Sequence, residues 1–264
     1  MVHLFLTTQP ILVVFNAKSY NQGEVMYLKS LLLALLLPAL TASLFSRSAE
    51  ETKINFTPIN HATFVIQTDN KTIYVDPIGG AEAFSRFAAP DIILITHTHA
   101  DHLSVETVKA VRTEKTVIIS PQAVFDQLKL GTVLNNGEKT RVDSISIEAI
   151  PMYNTTEGRL QNHPKGKGNG YLLTINGKRV YISGDTEDTP EMRALRNIDY
   201  AVICMNLPYT MSVEQAASAV LEMKPKVVIP YHYRGPDGMS DLKKFQSLVS
   251  EDKHIRVLLM DWYK

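Results

Sequence analysis

The chain has 264 residues, and its 27 Lys and Arg balance 27 Asp and Glu, so the formal net charge is zero. It has no basic tail and no block rich in Lys and Arg, which argues against an electrostatic footprint for nucleic acid. Apolar residues make up 45% of the chain and aromatic residues 8%, as in an ordinary globular protein, and the single cysteine excludes an intrachain disulfide.

The beginning of the sequence has the pattern of a secretory signal peptide. A short basic start at 26–29 precedes the apolar stretch 31–40, and small residues follow. The apolar stretch is short for a membrane span, although an uncleaved membrane anchor is the alternative. We therefore expect residues 1–25 to be an upstream extension and residues 26–48 a signal peptide. The product would be periplasmic or secreted, with membrane contact only through the leader.

Residues 49–264 contain no linker or fixed repeat, so we expect one domain that alternates short strands with turns and helices. Ser104 is placed to cap a helix, and Pro121 to begin another that runs to about Leu130. In the first half we predict strands at 62–66, 72–75, 91–95, 116–119 and 145–150, a hairpin turn at 68–71 and a loop at 79–90.

The second half continues with the same two kinds of element. Residues 154–170 lack periodicity and are rich in glycine, which predicts a loop that contains His163. Cys204 falls in an apolar run and is expected to be a buried thiol on a strand. Strands are predicted at 171–175, 179–183, 200–205 and 227–231, and helices at 213–223 and 241–249.

Four potential metal ligands fall within six residues after the buried strand at 91–95: His97, His99, Asp101 and His102. His97 and His99 are two residues apart and point the same way in extended backbone, whereas the other two follow after the chain has turned. Imidazole and carboxylate suit Zn²⁺, and also Mn²⁺ or Fe²⁺ when carboxylates take part. The alternative is a polar loop that happens to be rich in histidine, which so close a grouping of three of the eight histidines disfavours.

The pattern His-x-His-x-Asp-His at a strand end resembles the signature of the metallo-β-lactamase superfamily. The likeness continues in order over residues 53–262, where Asp76 resembles the early aspartate of that family. His163, Asp185 and His232 resemble its later ligands. The resemblance is strongest to the compact single-domain branch that includes ascorbate-6-phosphate lactonase-like hydrolases. It implies a four-layer αββα sandwich of the α/β (α+β) class.

The resemblance also implies two divalent metal ions, most simply Zn²⁺, with Mn²⁺ or Fe²⁺ as alternatives. A hydroxide shared by two such ions is a nucleophile at neutral pH, because the pKa of bound water falls toward about 7. Asp101 would be the catalytic residue that orients it, and Asp185 would bridge the ions. By the family pattern, the first ion would be held by His97, His99 and His163, and the second by Asp101, His102 and His232.

Further residues near these ligands are weaker candidates for the site. Asp76 is expected to hydrogen-bond the histidine-rich loop and orient ligands. His61 is either a core histidine or a neighbour of the metal ions or the substrate. Five others could bind a phosphate or carboxylate of the substrate or could form a solvated rim: Lys165, Tyr209, Tyr231, Tyr233 and Arg234.

The leading function is hydrolysis of an ester, lactone, amide or phosphodiester in a small-molecule substrate. The alternative is a nuclease or phosphodiesterase, although the span between Asp185 and His232 is too short for the large inserted domain of the RNA-cleaving branch. Two other classes of this superfamily are disfavoured by the ligand set. Iron-dependent redox members carry Glu where His99 stands, and non-catalytic members have lost ligands that are present here. The oligomeric state is left open.

If residues 26–48 are a signal peptide, the mature protein isolated from its native host should begin near Ala49 and lie outside the cytoplasm. N-terminal sequencing of the fractionated host protein checks this. Intact Met1 or Met26 on a soluble cytoplasmic protein would contradict it.

Overall fold

The computed structural model describes residues 53–263. The predicted extension at 1–25, the predicted signal peptide at 26–48 and the domain boundary at residue 49 lie outside the described residues. Within residues 53–263, no helix combines the length and the apolarity that crossing a bilayer requires.

The first half of the described chain builds a six-stranded sheet with its strands in sequence order. These strands are β1 (Asn55–Asn60), β2 (Thr63–Gln67), β3 (Thr72–Val75), β4 (Ile92–Leu94), β5 (Val117–Ser120) and β6 (Thr132–Val133). Pairing is antiparallel from β1 to β3 and parallel from β3 to β6. The carboxyl ends of β3 and β4 therefore meet at the same edge of the sheet.

The second half builds a seven-stranded sheet in the order β15-β12-β11-β10-β9-β8-β7. Its strands are β7 (Lys139–Val142), β8 (Ile145–Met152), β9 (Gly168–Ile175), β10 (Lys178–Ile182), β11 (Tyr200–Cys204), β12 (Val227–Tyr231) and β15 (Arg256–Val257). A separate hairpin consists of β13 (Arg234–Gly235) and β14 (Gly238–Met239). Because β10, β11 and β12 are parallel, their carboxyl ends also share one edge.

Alternate residues on the strands of the first sheet belong to two different apolar layers. Phe64 and Ile66 of β2 pack with residues of the second sheet, whereas Val65 between them packs on the outer side. The same alternation recurs on β3 and β4. Since both faces of the sheet are covered, its strands are continuous apolar runs in the sequence, as in other buried sheets.

Helices cover the outer faces of the two sheets. They are α1 (Val105–Val111), α2 (Gln122–Leu128), α3 (Pro190–Arg193), α4 (Val213–Met223) and α5 (Leu242–Val249). Apolar residues of α1 and α2 pack on the outer side of the first sheet, and those of α4 and α5 pack with the second. The layers run helix, sheet, sheet, helix, which confirms the predicted αββα fold.

Local capping follows the sequence closely. The Ser104 hydroxyl accepts a hydrogen bond from the Thr107 backbone N–H at 3.1 Å, as its position before α1 predicts. Pro121 stands one residue outside α2 rather than at its first position, and α2 ends at Leu128 because Lys129 adopts a left-handed φ of 56°. The predicted loop at 79–90 contains a 3₁₀ turn at Ala81–Phe84.

The predicted loop at 154–170 is wrong at its end, because β9 begins at Gly168. Its glycines allow close packing within the sheet instead of a turn. A Cβ atom on Gly170 would lie 2.9 Å from the carbonyl oxygen atoms of both Ile182 and Ser183. The glycine-rich pattern therefore predicted the loop correctly up to residue 167 and wrongly for the first residues of β9.

Trp262 fixes the segment that follows β15 to the core between the sheets. Its side chain is buried, and its ring lies 5.5 Å from that of Phe64 and 5.4 Å from that of Tyr231. Its backbone carbonyl accepts a hydrogen bond from the His61 N–H at 3.2 Å. The residues next to Trp262 are thereby held beside the end of β1.

Trp262→Ala should lower the free energy of unfolding by about 3–5 kcal/mol, because it removes a large buried ring and leaves a cavity. Urea denaturation followed by circular dichroism measures this. Leu259→Ala on the same segment is the matched control: that side chain is exposed, so a change within about 0.5 kcal/mol is expected. Equal losses for the two variants would contradict this account of the segment.

Candidate metal centre

The structure brings all the predicted metal ligands to one edge of the sandwich. His97 and His99 follow β4, Asp185 follows β10, and His232 follows β12. Asp101 and His102 come from the turn between β4 and α1, and His163 comes from the connection between β8 and β9. Ligands at the ends of buried strands have a fixed backbone behind them and an open side toward solvent.

His97, His99 and His163 form a first group whose ring nitrogen atoms lie within 4.8 Å of one another. The Nε2 atom of His97 is 3.0 Å from Nδ1 of His99. The Nδ1–H of His163 donates to the carbonyl oxygen of Tyr209 at 3.2 Å, which leaves its Nε2 as a lone-pair donor toward the group. This tautomer is the one that a metal ligand requires.

Asp101, His102 and His232 form a second group beside the first. The Nε2 atoms of His102 and His232 are 3.0 Å apart, and Oδ2 of Asp101 lies 3.3 Å from Nε2 of His232. Both histidines are buried, whereas 43% of the Asp101 side chain is exposed. Asp101 is therefore the member of this group that faces incoming molecules.

Asp185 lies between the two groups. Its Oδ2 atom is 3.5 Å from Nε2 of His163 in the first group and 3.3 Å from Nε2 of His232 in the second. Its Oδ1 atom is 3.4 Å from Nε2 of His102. One buried carboxylate thus contacts ligands of both groups, which is the position of a residue that can bridge two cations.

Two buried atoms show that these residues fit a metal. Nε2 of His163 and Oδ1 of Asp185 have no hydrogen-bond partner within the part of the chain that the structure describes. Buried polar atoms cost free energy unless they are satisfied. A divalent cation would satisfy both, and a donor set of imidazole nitrogen and carboxylate oxygen suits zinc.

Electrostatics in the cluster are governed by burial and by the carboxylates. Burial lowers the pKa of His102 and His232, but the neighbouring carboxylates together outweigh it and raise both: Asp185 with Asp76 at His102, and Asp185 with Asp101 at His232. Burial opposes ionisation of Asp185, yet the two histidines hold its pKa well below the usual range. Burial and the neighbouring charge of His102 lower the pKa of His97 well below its ordinary value. A cation held by His102 and His232 would compete with protons for these nitrogen atoms, so its binding would weaken as the pH falls.

Asp76 orients His102 from behind. Its Oδ2 atom accepts from Nδ1 of His102 at 2.7 Å and from the Thr96 hydroxyl at 2.8 Å. Its Oδ1 atom accepts from the Thr96 backbone N–H at 2.7 Å. With Nδ1 engaged, Nε2 of His102 is left to face the site, as in other carboxylate–histidine pairs around metals.

Three residues of this edge have left-handed backbone conformations that side chains other than glycine rarely adopt. The φ angles are 56° at His61, 45° at Asp76 and 46° at His232, and each residue directly follows a strand. Such conformations are unfavourable in isolation and persist where the surrounding structure imposes them. Their concentration here indicates that the chain is bent to bring these side chains together.

A cavity of about 460 Å³ opens over the cluster. Tyr209, predicted as a substrate contact, lines it and is exposed. Three amide side chains on the cavity wall were not predicted from the sequence: Gln161, Asn162 and Asn206. Their positions gave a signal, because the first two directly precede His163 and the third follows the end of β11.

The other predicted substrate contacts do not line this cavity. Tyr231 is buried in the core, where its ring lies 5.9 Å from that of Phe64. The Tyr233 hydroxyl donates to the Met260 carbonyl at 3.4 Å.

Two basic residues of that set are occupied elsewhere. The Arg234 guanidinium lies over the Tyr263 ring, 4.6 Å from its centroid. Nζ of Lys165 donates to Oε1 of Glu191 at 3.3 Å, and the Lys165 side chain is exposed.

His61 is a neighbour of the ligands. Its Nε2 atom is 3.3 Å from Oδ2 of Asp101, and its ring centroid is 3.8 Å from that of His232. Its Nδ1 atom lies 2.8 Å from the Tyr263 hydroxyl. Burial lowers the pKa of His61, so the neutral imidazole is favoured.

A sequence family described as the beta-lactamase superfamily domain matches residues 55–232. The chain belongs to the metallo-β-lactamase superfamily. Among similar members, a UPF0173 metal-dependent hydrolase of Pyrococcus furiosus is 30% identical over 220 residues, which cover 78% of this chain and 96% of that protein. Another from Ligilactobacillus salivarius is 32% identical over 203 residues, which cover 73% of this chain and 91% of that protein.

Solved structures agree with this assignment. A crystal structure of a Parabacteroides distasonis protein has a TM-score of 0.73 and 41% identity, covering 79% of this chain and 93% of that one. Igni18, a metallo hydrolase of Ignicoccus hospitalis, has a TM-score of 0.68 at 24% identity, and the match covers 80% of this chain and 96% of Igni18. At that identity the likeness shows the fold alone. This metallo-β-lactamase superfamily member is a metal-dependent hydrolase, and its histidine and aspartate groups can bind metal. The family and the enzyme class predicted from the sequence are confirmed.

Asp76→Asn should weaken Zn²⁺ binding by about 10- to 100-fold. The amide NH₂ replaces one acceptor oxygen, so it would stand opposite either Nδ1 of His102 or the Thr96 N–H, and His102 would lose its orientation. Titration against a chelating dye measures the affinity. Asp91→Asn is the matched control, since that carboxylate accepts from the Thr72 N–H at the other end of the first sheet. Equal affinities for Asp76→Asn and the unmodified protein would show that Asp76 does not orient the site.

Proposed function

We propose that this protein uses two divalent metal ions, most simply Zn²⁺, to hydrolyse an ester, lactone, amide or phosphodiester in a small-molecule substrate. The position of Asp185 supports this most directly. Its carboxylate faces His163 in one group of ligands and His102 and His232 in the other. A single cation would use one of these groups and leave the other, with its contacts to Asp185, without a metal.

The ligands divide as their contacts suggest. His97, His99 and His163 would hold one ion. Asp101, His102 and His232 would hold the other, with Asp185 shared. When bound, the ions would lower the pKa of a shared water so that it is a nucleophile near neutral pH, and would polarise the bond under attack.

The side chains around the ions would position the reactants. Asp101 is the proposed catalytic residue, because its half-exposed carboxylate is both beside His232 and on the cavity wall. It can accept a hydrogen bond from the nucleophile and fix its direction of attack. Asn162 and Asn206 can donate hydrogen bonds to the polar atoms of a substrate that enters the cavity.

The size and the lining of the cavity support a small-molecule substrate rather than nucleic acid. Its volume of about 460 Å³ lies within the range of small-molecule sites. The balanced charge of the chain supports the same conclusion.

We further propose export to the periplasm or beyond the cell, on the strength of the leader pattern at residues 26–48.

Elemental analysis of protein purified without chelator should find close to two divalent ions per chain, and Asp185→Ala should reduce this to one or fewer. The reason is that Asp185 contacts ligands of both groups. Asp126→Ala on the exposed face of α2 is the control and should retain both ions.

Asp101→Asn should lower the turnover rate more than the metal content, because it removes a negative charge and keeps a ligand oxygen. In this it should differ from Asp185→Ala. A group that acts in the transition state contributes about 10²- to 10⁴-fold to the rate. Turnover of chromogenic esters, lactones and phosphodiesters is measured beside metal content. An Asp185→Ala protein with two ions and normal turnover would overturn the proposed function.

A further inference from the structure

His61 joins the metal cluster to a part of the chain that lies far away in sequence. Its two ring nitrogen atoms face Asp101 on one side and the Tyr263 hydroxyl on the other. We propose that His61 is a positioning residue, set by Tyr263, which holds the Asp101 carboxylate in the orientation that hydrolysis requires. This inference rests on the proposed function, because the role of Asp101 is assigned there.

A partner at Asp101 would add to the restraint that metal coordination supplies. Asp101 is the most exposed of the three residues of the second group, and it lies on a turn between β4 and α1. Its Oδ2 atom is 3.3 Å from Nε2 of His232 and 3.3 Å from Nε2 of His61. If Nε2 of His232 binds a cation it carries no proton, and His61 is then the neighbour that can donate a hydrogen bond to this oxygen.

The neighbours of His61 on both sides favour a proton on its Nε2 atom, because the Asp101 carboxylate beside that atom can only accept a hydrogen bond. The Arg234 backbone N–H donates to the Tyr263 oxygen at 3.1 Å. The phenol can then give its own proton to Nδ1 of His61, 2.8 Å away. A neutral imidazole that accepts at Nδ1 is protonated at Nε2, the atom that faces Asp101.

His61 and Tyr263 are both held in place by the fold. The His61 backbone has a φ of 56°, and its N–H donates to the carbonyl of the buried Trp262. The Tyr263 ring lies between the guanidinium of Arg234, at 4.6 Å, and the ring of Tyr233, at 5.0 Å. A side chain fixed at both nitrogen atoms can transmit its position to Asp101.

The same protonation argues against His61 as a ligand. Its Nε2 atom lies within 4.8 Å of ligand atoms of Asp101 and His232, so by distance alone it could join them around a cation. A nitrogen that carries a proton has no lone pair to give to a metal. The two roles make opposite predictions for metal content.

The test compares Tyr263→Phe and His61→Ala, each alone and combined with Asp101→Asn. Tyr263→Phe removes the phenol oxygen and keeps the ring beneath Arg234. Both single variants should retain two ions and lose about 10- to 100-fold in kcat, with KM little changed, because a misplaced catalytic group slows the reaction without weakening binding. In the Asp101→Asn background neither substitution should lower kcat further.

A spectroscopic readout separates positioning from a general structural effect. In protein loaded with Co²⁺, Tyr263→Phe should alter the visible absorption spectrum at unchanged stoichiometry, and this change should be absent when Asp101 is Asn. Tyr200→Phe is the matched control: its ring packs on Phe56 at the start of β11, and neither spectrum nor kcat should change.

Loss of an ion in His61→Ala would overturn the inference and make His61 a ligand. Rate losses that multiply with that of Asp101→Asn would also overturn it, since His61 would then act by another route. Either result leaves the proposed function standing if the unmodified protein holds two ions. Absence of the metal pair from the unmodified protein would instead sink the proposed function.

Discussion

Asp185 is a carboxylate buried at the edge between two sheets, and its negative charge must be balanced inside the protein. Three imidazoles within 3.5 Å of its oxygen atoms are the groups available to do so. Without metal, His102 and His232 balance it by holding protons, which is why their pKa values rise. With metal, cations take the place of those protons. The cluster is therefore arranged around a charge that the apolar core cannot accommodate alone.

The sandwich brings the necessary groups to that charge from both halves of the chain. Parallel strands in each sheet place the residues that follow β4, β10 and β12 at a common edge. Left-handed backbone at His61, Asp76 and His232 then turns the chain sharply where each strand ends. The strain is sustained by the packed sheets behind it, so the fold's stability and the geometry of the site depend on the same strands.

The parts of this arrangement that are local in sequence were predictable. The histidine-rich turn follows a strand whose apolar run is unmistakable, and Asp185 and His232 end runs of the same kind. Whether the residues beside these ligands in the sequence also face the site could not be predicted in the same way. Tyr231 stands beside a ligand in sequence, yet its side chain is buried in the core.

Contacts between distant parts of the chain that lie outside the set of metal ligands escaped sequence reasoning. His61 and Tyr263 are separated by 202 positions, and no periodicity or motif relates them. Their contact depends on the anchoring of Trp262 between the sheets, which only the assembled core reveals. The glycines at 168 and 170 misled for a similar reason, since their crowding comes from residues on other segments.

The buried thiol of Cys204 bears on the kind of metal that the protein can select. It lies on β11, next to the strand that leads to Asp185, and burial raises its pKa to about 12. Its sulfur is not among the clustered ligand atoms found within residues 53–263, so the sulfur-rich coordination that favours Cu⁺ is not offered by that cluster. Selection falls to nitrogen and oxygen donors of intermediate and hard character. A site built without thiolate ligands also has no sulfur that an oxidant could convert to a sulfenic or sulfinic acid.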